Sequence, residues 1–232
     1  MNVVVVGASR GLGYSLVEKF SQEGHRVVAG VRDIEDQRLK DLMQTYRGIK
    51  IMHMDVIDEE SMKAAGDQLG KDGFSIDLLI HNAGIILAGD VDHDLPGISI
   101  GDFRKTLDVN TTGTVIAVKY LLPLVNKDGS GQVFLITSEA GSMTHSGSTM
   151  AAYSISKAAQ NKTAFVLKAA LEDRYRVLAI HPGRMKTDMG GDHSEIEPEE
   201  SAEGIYKLAT GIKKIKEGSS IFINYKGEEM VI

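Results

Sequence analysis

Met1-Asn2-Val3-Val4-Val5-Val6-Gly7-Ala8-Ser9-Arg10-Gly11-Leu12-Gly13 opens the chain, and its reading decides the fold. Four consecutive valines suit a strand covered on both faces, because β-branched side chains pack well on a pleated surface and alternate between its two sides. Gly7, Gly11 and Gly13 then supply a turn where backbone can pass close to a ligand with no Cβ in the way. Beyond it Leu12, Leu16 and Phe20 recur at helical spacing. A strand entering a helix through such a turn aims unpaired N–H groups and the positive end of the helix dipole at whatever lies above the sheet, which suits a phosphate. The spacing is Gly-x-x-x-Gly-x-Gly, which differs from the Gly-x-Gly-x-x-Gly fingerprint and lacks the Lys-Ser/Thr of a P-loop. Taken alone, the stretch also fits a tight turn holding no ligand.

With 232 residues, 42% of them hydrophobic, the chain is long enough for one well-buried domain and short for two, so a single domain over residues 1–232 is expected. It contains no cysteine, which rules out a disulfide framework or thiolate metal site and fits a reducing, cytoplasmic setting. No basic segment followed by a long apolar run stands at the start, so neither a signal peptide nor a membrane span is expected. A formal net charge of −6 argues against a general nucleic-acid binder; Lys213, Lys214 and Lys216 read as a solvated helix end. His25, His53, His81, His93, His145, His181 and His193 never pair at i, i+3 or i, i+4 with a second histidine ligand, so no metal site is expected. Ser138 with His145 and an aspartate lacks the Gly-x-Ser-x-Gly elbow of a hydrolase.

Strand-like runs recur at Val3–Val6, Arg26–Val31, Ile49–Met54, Leu78–His81, Gln132–Thr137, Val177–His181 and Ser220–Asn224, separated by segments of helical spacing. Strand and helix alternating throughout imply an α/β fold: a doubly wound parallel sheet with helices on both faces, a three-layer sandwich. In such a sheet the ligand crevice lies at the carboxyl ends of the strands. There the second strand ends in Gly30-Val31-Arg32, where an NAD-binding chain would carry an acid, and Arg32 with Arg10 can pair with a 2′-phosphate. NADP(H) is therefore favoured over NAD(H). Asp33 offers a nearby carboxylate or a helix cap. Asp55 and Val56 at the third strand end, and Asn82, Ala83 and Gly84 at the fourth, should border the same ligand, although Asp, Asn and Gly are also ordinary strand-end residues.

A helix is expected over Ile100–Leu124 with Asn110 in its middle, an unfavourable place for asparagine unless it faces the crevice. Ser138 follows the fifth strand run, Tyr153 comes fifteen positions later, and Lys157 lies one helical turn beyond. An ammonium one turn from a phenol favours the phenolate and lowers its pKa from near 10, making Tyr153 a candidate general acid/base. The Ser138 hydroxyl can hold the same substrate oxygen. Tyr-x-x-x-Lys on its own is as readily packing plus solvent.

Gly7-x-x-x-Gly11-x-Gly13, Asn82-Ala83-Gly84, Asn110, Ser138, Tyr153-x-x-x-Lys157 and Pro182-Gly183 occur in order over nearly the full length, and the chain resembles the short-chain dehydrogenase/reductase family. The resemblance implies a Rossmann fold binding NAD(P), with Tyr153 as proton donor or acceptor and Lys157 on the nicotinamide ribose. It further implies that Ser138 orients the carbonyl or alcohol, and that Asn110 holds a relay water. Gly7, Ser9, Arg10, Gly11, Leu12, Gly13, Arg32, Asp55, Val56, Asn82, Ala83 and Gly84 would bind cofactor, with Pro182, Gly183 and Thr187 at the nicotinamide end. Thr187-Asp188-Met189-Gly190-Gly191, Pro198-Glu199-Glu200 and Tyr225-x-Gly227 are similar to the carbonyl-reductase group that includes C-factor and sniffer proteins. The chain departs from the family at His81, where asparagine is usual and little effect is expected, and in a Ser138–Tyr153 interval about two residues longer than usual.

The activity implied is NADPH-dependent carbonyl reduction on a small-molecule substrate, with Met185–Glu199 as a lid. A nucleotide-sensing regulator with little turnover is the alternative, and a partner that dimerises through Lys105–Leu124 and Ala152–Leu171 is a third reading compatible with the first.

Overall fold

The valine run forms β1 (Asn2–Val6), whose Val3 to Val6 are wholly buried. In the computed structural model, which describes residues 1–91, 94–144, 147–190 and 194–232, β1 pairs in parallel with β2 (Arg26–Val31) on one side and β4 (Leu78–His81) on the other. Adding β3 (Ile49–His53), β5 (Gln132–Ile136), β6 (Arg176–His181) and β7 (Phe222–Asn224) gives one seven-stranded parallel sheet in the order β3-β2-β1-β4-β5-β6-β7. The winding reverses between β1 and β4, which places a crevice at their carboxyl ends.

Alternation along β1 feeds two cores. Val3 and Val5 pack under α1 (Gly11–Gln22), α2 (Gln37–Thr45) and α8 (Pro198–Ala209), against Leu16, Phe20, Leu39 and Ile205. Val4 and Val6 face α3 (Glu59–Lys71), α6 (Gly113–Leu121) and α7 (Ala151–Leu171), against Met62, Leu69, Leu121 and Ala164. Two short helices, α4 (Ala88–Val91) and α5 (Ile100–Leu107), lie between β4 and α6. The fold is thus the doubly wound three-layer α/β sandwich expected. Among the described residues no helix is long and apolar enough to cross a membrane.

Gly13 is the point where α1 meets the sheet. A Cβ there would stand 2.1 Å from the Gly7 carbonyl oxygen and 2.7 Å from Asn82 Nδ2, and Asn82 Nδ2 itself donates to Gly7 O at 2.7 Å. Gly7, at φ +85°, could carry a side chain only with strain.

Three local expectations are corrected. The single helix over Ile100–Leu124 is instead α5, a π turn at Asp108–Thr112, α6 and a 3₁₀ turn at Leu122–Leu124. The wider turn carries Asn110 inward, wholly buried, and ordinary α geometry resumes at Gly113, whose missing Cβ lets Val56 approach. Asp33 does not cap α2; Asp36 does, accepting from Arg38 N and Leu39 N, while Asp33 accepts from Glu35 N. The last strand is shorter than expected, since Ser220 and Ile221 precede the paired Phe222. Lys213, Lys214 and Lys216 stand exposed just past α8, as anticipated.

Candidate active site

A cleft of about 1910 Å³ runs across the carboxyl ends of the strands, about twice the upper end of an ordinary small-ligand pocket. Gly7, Ser9, Arg10, Gly11, Leu12, Arg32, Asp55, Val56, Asn82, Ala83 and Gly84 line one side of the expected set. Ser138, Tyr153, Lys157, Pro182, Gly183 and Thr187 line the remainder. Gly13 and Asn110 do not reach its wall: the first packs α1 on the turn, and the second lies beneath.

The cradle fits an anionic dinucleotide on two observations. The first turn of α1 holds no acid, and its N-terminal Arg10 makes no side-chain cap among the described residues, leaving helix-end N–H groups for a phosphate. At the β2 end, Arg10 and Arg32 are joined by Arg38, which the sequence reading missed. Arg38 Nη2 donates to Ser9 O at 2.7 Å and to Asp36 Oδ2 at 3.2 Å, with its guanidinium 6.0 Å from the centre of the Tyr14 ring. Its signal was a cation in the first turn of the helix that follows Arg32. Arg10 Nη1 donates to Asp188 Oδ2 at 2.9 Å across the cleft mouth.

The segment expected as a lid is fastened at both ends: Lys186 N donates to Ile196 O, Ile196 N to Arg184 O, and Lys186 pairs with Glu197 at 2.7 Å. Gly191, Asp192 and His193 within it lie outside the described residues, as do His93, and His145 and Ser146 of the longer Ser138–Tyr153 connection.

The Asn110 side chain makes three hydrogen bonds to protein. Its Oδ1 accepts from Ile85 N at 2.8 Å, and its Nδ2 donates to Ile85 O and Ser156 Oγ at 2.9 Å each. Its backbone carbonyl accepts from Thr114 Oγ1 at 2.7 Å.

Tyr153 and Lys157 share a face of α7, with Nζ 5.7 Å from the phenol ring centre. The expected lowering of the tyrosine by the lysine is not what the geometry gives. Burial pushes the Tyr153 phenol up, the Ser138 hydroxyl beside it pulls down, and Glu139 pushes up again. Lys157 turns its ammonium to Ile136 O at 2.9 Å and Gln160 Oε1 at 2.8 Å, and burial lowers its pKa to about 7. His81, expected to matter little, is wholly buried close to Gln160, and its pKa is lowered to about 3 by burial and then by Lys157. It faces the α6 and α7 side of the sheet because it sits two residues after Leu79.

Asp90 was also unforeseen. Met150, in a left-handed conformation before α7, gives the helix no side-chain cap. The buried Asp90 carboxylate supplies it from α4, accepting from Ala152 N at 2.9 Å and Tyr153 N at 2.8 Å, while Asp90 O accepts from Met150 N. The start of the helix carrying Tyr153 is thereby fixed from 62 residues away.

The sequence model of the short chain dehydrogenase family matches residues 1–198. The chain belongs to the short-chain dehydrogenase/reductase family. It is 32% identical over 216 residues to 1-hydroxy-2-glutathionyl-2-methyl-3-butene dehydrogenase of Rhodococcus sp. strain AD45, covering 88% of each chain. Its structure resembles that of NADPH-bound carbonyl reductase from chicken fatty liver with a TM-score of 0.86 and 27% identity, over 100% of this chain and 94% of that one. The carbonyl reductase Sniffer of Drosophila melanogaster shares the fold, with a TM-score of 0.89 at 24% identity over 100% and 99% of the two chains. This family is one of oxidoreductases, and the carbonyl-reductase-like grouping expected from the sequence is supported by the likeness to the chicken enzyme.

Two predictions arise from these contacts. Asp90→Ala should lower the unfolding free energy by about 2–3 kcal/mol, by loss of two charge-assisted cap bonds, and Asp90→Asn by less; urea denaturation reads both. For His81 and Lys157 the folded pKa of a base is lowered, so between folded and unfolded values the unfolded chain binds more protons and stability rises with pH. The windows are about 3 to 6.5 for His81 and about 7 to 10.5 for Lys157. Lys157→Met should therefore gain stability relative to the parent at pH 6, and the difference should shrink towards pH 10 in parallel urea titrations.

Proposed function

We propose that this protein is an NADP(H)-dependent oxidoreductase that moves hydride between the nicotinamide and the carbonyl or alcohol carbon of a small molecule, with carbonyl reduction as the working direction. The observation that carries this reading is the convergence of Ser138, Tyr153 and Lys157 on one cleft whose other end presents the uncapped α1 N-terminus and three arginines. NADP(H), when bound, supplies or accepts the hydride. The helix end at Gly11–Gly13 would hold the pyrophosphate, and Arg10, Arg32 and Arg38 would hold the 2′-phosphate. The NADPH-bound relative from chicken supports this cofactor choice.

In reduction, the Tyr153 phenol donates its proton to the substrate oxygen while the Ser138 hydroxyl donates a hydrogen bond to the same oxygen. A phenol raised by burial is a proton donor at neutral pH, consistent with reduction. The phenolate left behind is stabilised by the Lys157 ammonium, and its negative charge in turn keeps Lys157 protonated. Ile85, Ile86, Leu87, Met150, Met185 and Met230 supply an apolar wall at the substrate end. A second copy of the chain is the proposed partner. Ile155 and Val166, eleven positions apart on α7, share an exposed apolar face, and Val115 is exposed on α6; sedimentation measures the assembly.

Titration with NADPH and NADH, followed by turnover on ketones, aldehydes and quinones, tests the reading. Tyr153→Phe should reduce kcat by about 10²–10⁴-fold with cofactor binding retained; unchanged turnover would remove Tyr153 from the chemistry. Arg32→Ala should weaken NADPH by roughly tenfold or more and leave NADH nearly unchanged. Cofactor binding with no turnover on any carbonyl would favour a sensor instead.

A further inference from the structure

Lys157 does not stand alone behind the cleft. Gln160, one turn along α7 and wholly buried, accepts from its ammonium through Oε1 at 2.8 Å. The amide nitrogen of Gln160 faces the other way, donating to Thr114 Oγ1 at 2.9 Å and lying 3.4 Å from His81 Nδ1. Thr114 Oγ1 in turn donates to the backbone carbonyl of Asn110 at 2.7 Å. Lysine only donates and the Thr114 proton is committed to Asn110 O, so the amide has one consistent orientation: oxygen to Lys157, nitrogen to Thr114. Both polar atoms of the buried Gln160 side chain are then satisfied, in a part of the fold where an unpaired group would be costly.

We propose that Gln160 is a positioning residue, which with Thr114 forms a direct side-chain bridge from the Lys157 ammonium to the Asn110 carbonyl and sets the two as one unit beneath the cleft.

The chemistry follows from the bond directions. Ile136 O and Gln160 Oε1 take two of the three ammonium protons, which leaves one for the cleft that Lys157 lines. An oxygen acceptor on an ammonium favours its charged form, against the burial that lowers the pKa of this group. The charged and titratable groups facing it are few. His81 approaches from β4 and is neutral above about pH 3, Tyr153 lies one turn back on α7, and Glu139 acts on Tyr153 from the 3₁₀ turn after Ser138. Gln160 thus holds Lys157 charged as well as oriented, without adding a titrating group of its own.

This inference rests on the oxidoreductase reading for its kinetic consequence, and the test separates the two. In protein labelled with ¹³Cε-lysine, Lys157 is the resonance that titrates near neutral pH and vanishes in Lys157→Met. Gln160→Met, close in volume and lacking the acceptor, should shift that titration down by at least one pH unit, whereas Gln160→Glu should shift it up. With NADPH and a carbonyl substrate, kcat at pH 7.5 should fall about tenfold in Gln160→Met, with substrate KM within twofold. The alkaline limb of the kcat profile should move in the same direction as the resonance and recover in Gln160→Glu. Thr114→Val, which cuts the bridge one bond further on, should move both readouts in the Gln160→Met direction by a smaller amount, and serves if Gln160→Met does not fold. An unmoved lysine titration in Gln160→Met or Thr114→Val, or equal shifts in Gln160→Met and Gln160→Glu, would overturn the bridge. If no carbonyl is turned over by the parent, the oxidoreductase reading fails, while the lysine titration still decides the bridge.

Discussion

Asn110 joins three pieces of chain that would otherwise be free to move apart. Its amide closes a two-way contact with the backbone of Ile85, beyond β4, and reaches Ser156 Oγ on α7. Ser156 Oγ donates back to Tyr153 O, and Thr111 Oγ1 to Ser156 O. The loop after β4, the π turn and the helix bearing Tyr153 and Lys157 are thus held by one buried side chain. The π turn is what makes this possible, since its wider winding carries Asn110 inward between α5 and α6. An arrangement of polar groups this deep is stable only when complete, which makes the geometry above it sharply defined.

The opposite side of the crevice depends on an absence of side chain. Gly13 allows α1 to sit against the Gly7 carbonyl, and Asn82 closes the same carbonyl from β4. The helix end and the β4 loop are thereby brought to one place on the sheet, the point where winding reverses. A dinucleotide site at this point needs little beyond backbone groups and a few cations.

The sheet was legible because its strands are continuously apolar and buried on both faces, so the runs that open with Val3–Val6 could hardly lie elsewhere. Ser138, Tyr153 and Lys157 were legible as a set, by their order and spacing. What spacing could not supply was the destination of each side chain. Tyr153 and Lys157 do share a face, yet burial pushes the phenol up rather than down, and Nζ turns to Ile136 O and Gln160. Asp90 was hidden because a helix capped from 62 residues away leaves no local trace, its own N-terminal Met150 being uninformative. The π turn was half visible: Asn110 looked misplaced in a helix, but no Pro or Gly marks the extra residue. His81 was read as a replacement of little effect, and its burial beside Gln160 is something nothing in the nearby sequence connects to it.

The ion pair between Arg10 and Asp188 is exposed and spans the mouth of the cleft, so in itself it contributes little, about 0–1 kcal/mol. Its importance lies in exchange. A phosphate that engages Arg10 meets a guanidinium already partnered by a carboxylate, and one attraction replaces another where a simple count of contacts would add one. The displaced Asp188 is next in the chain to Thr187, whose methyl lies 3.2 Å from the ideal Cβ position of Gly11. The carboxylate that partners Arg10 and the residue that packs on the glycine turn are thus neighbours on one short piece of chain.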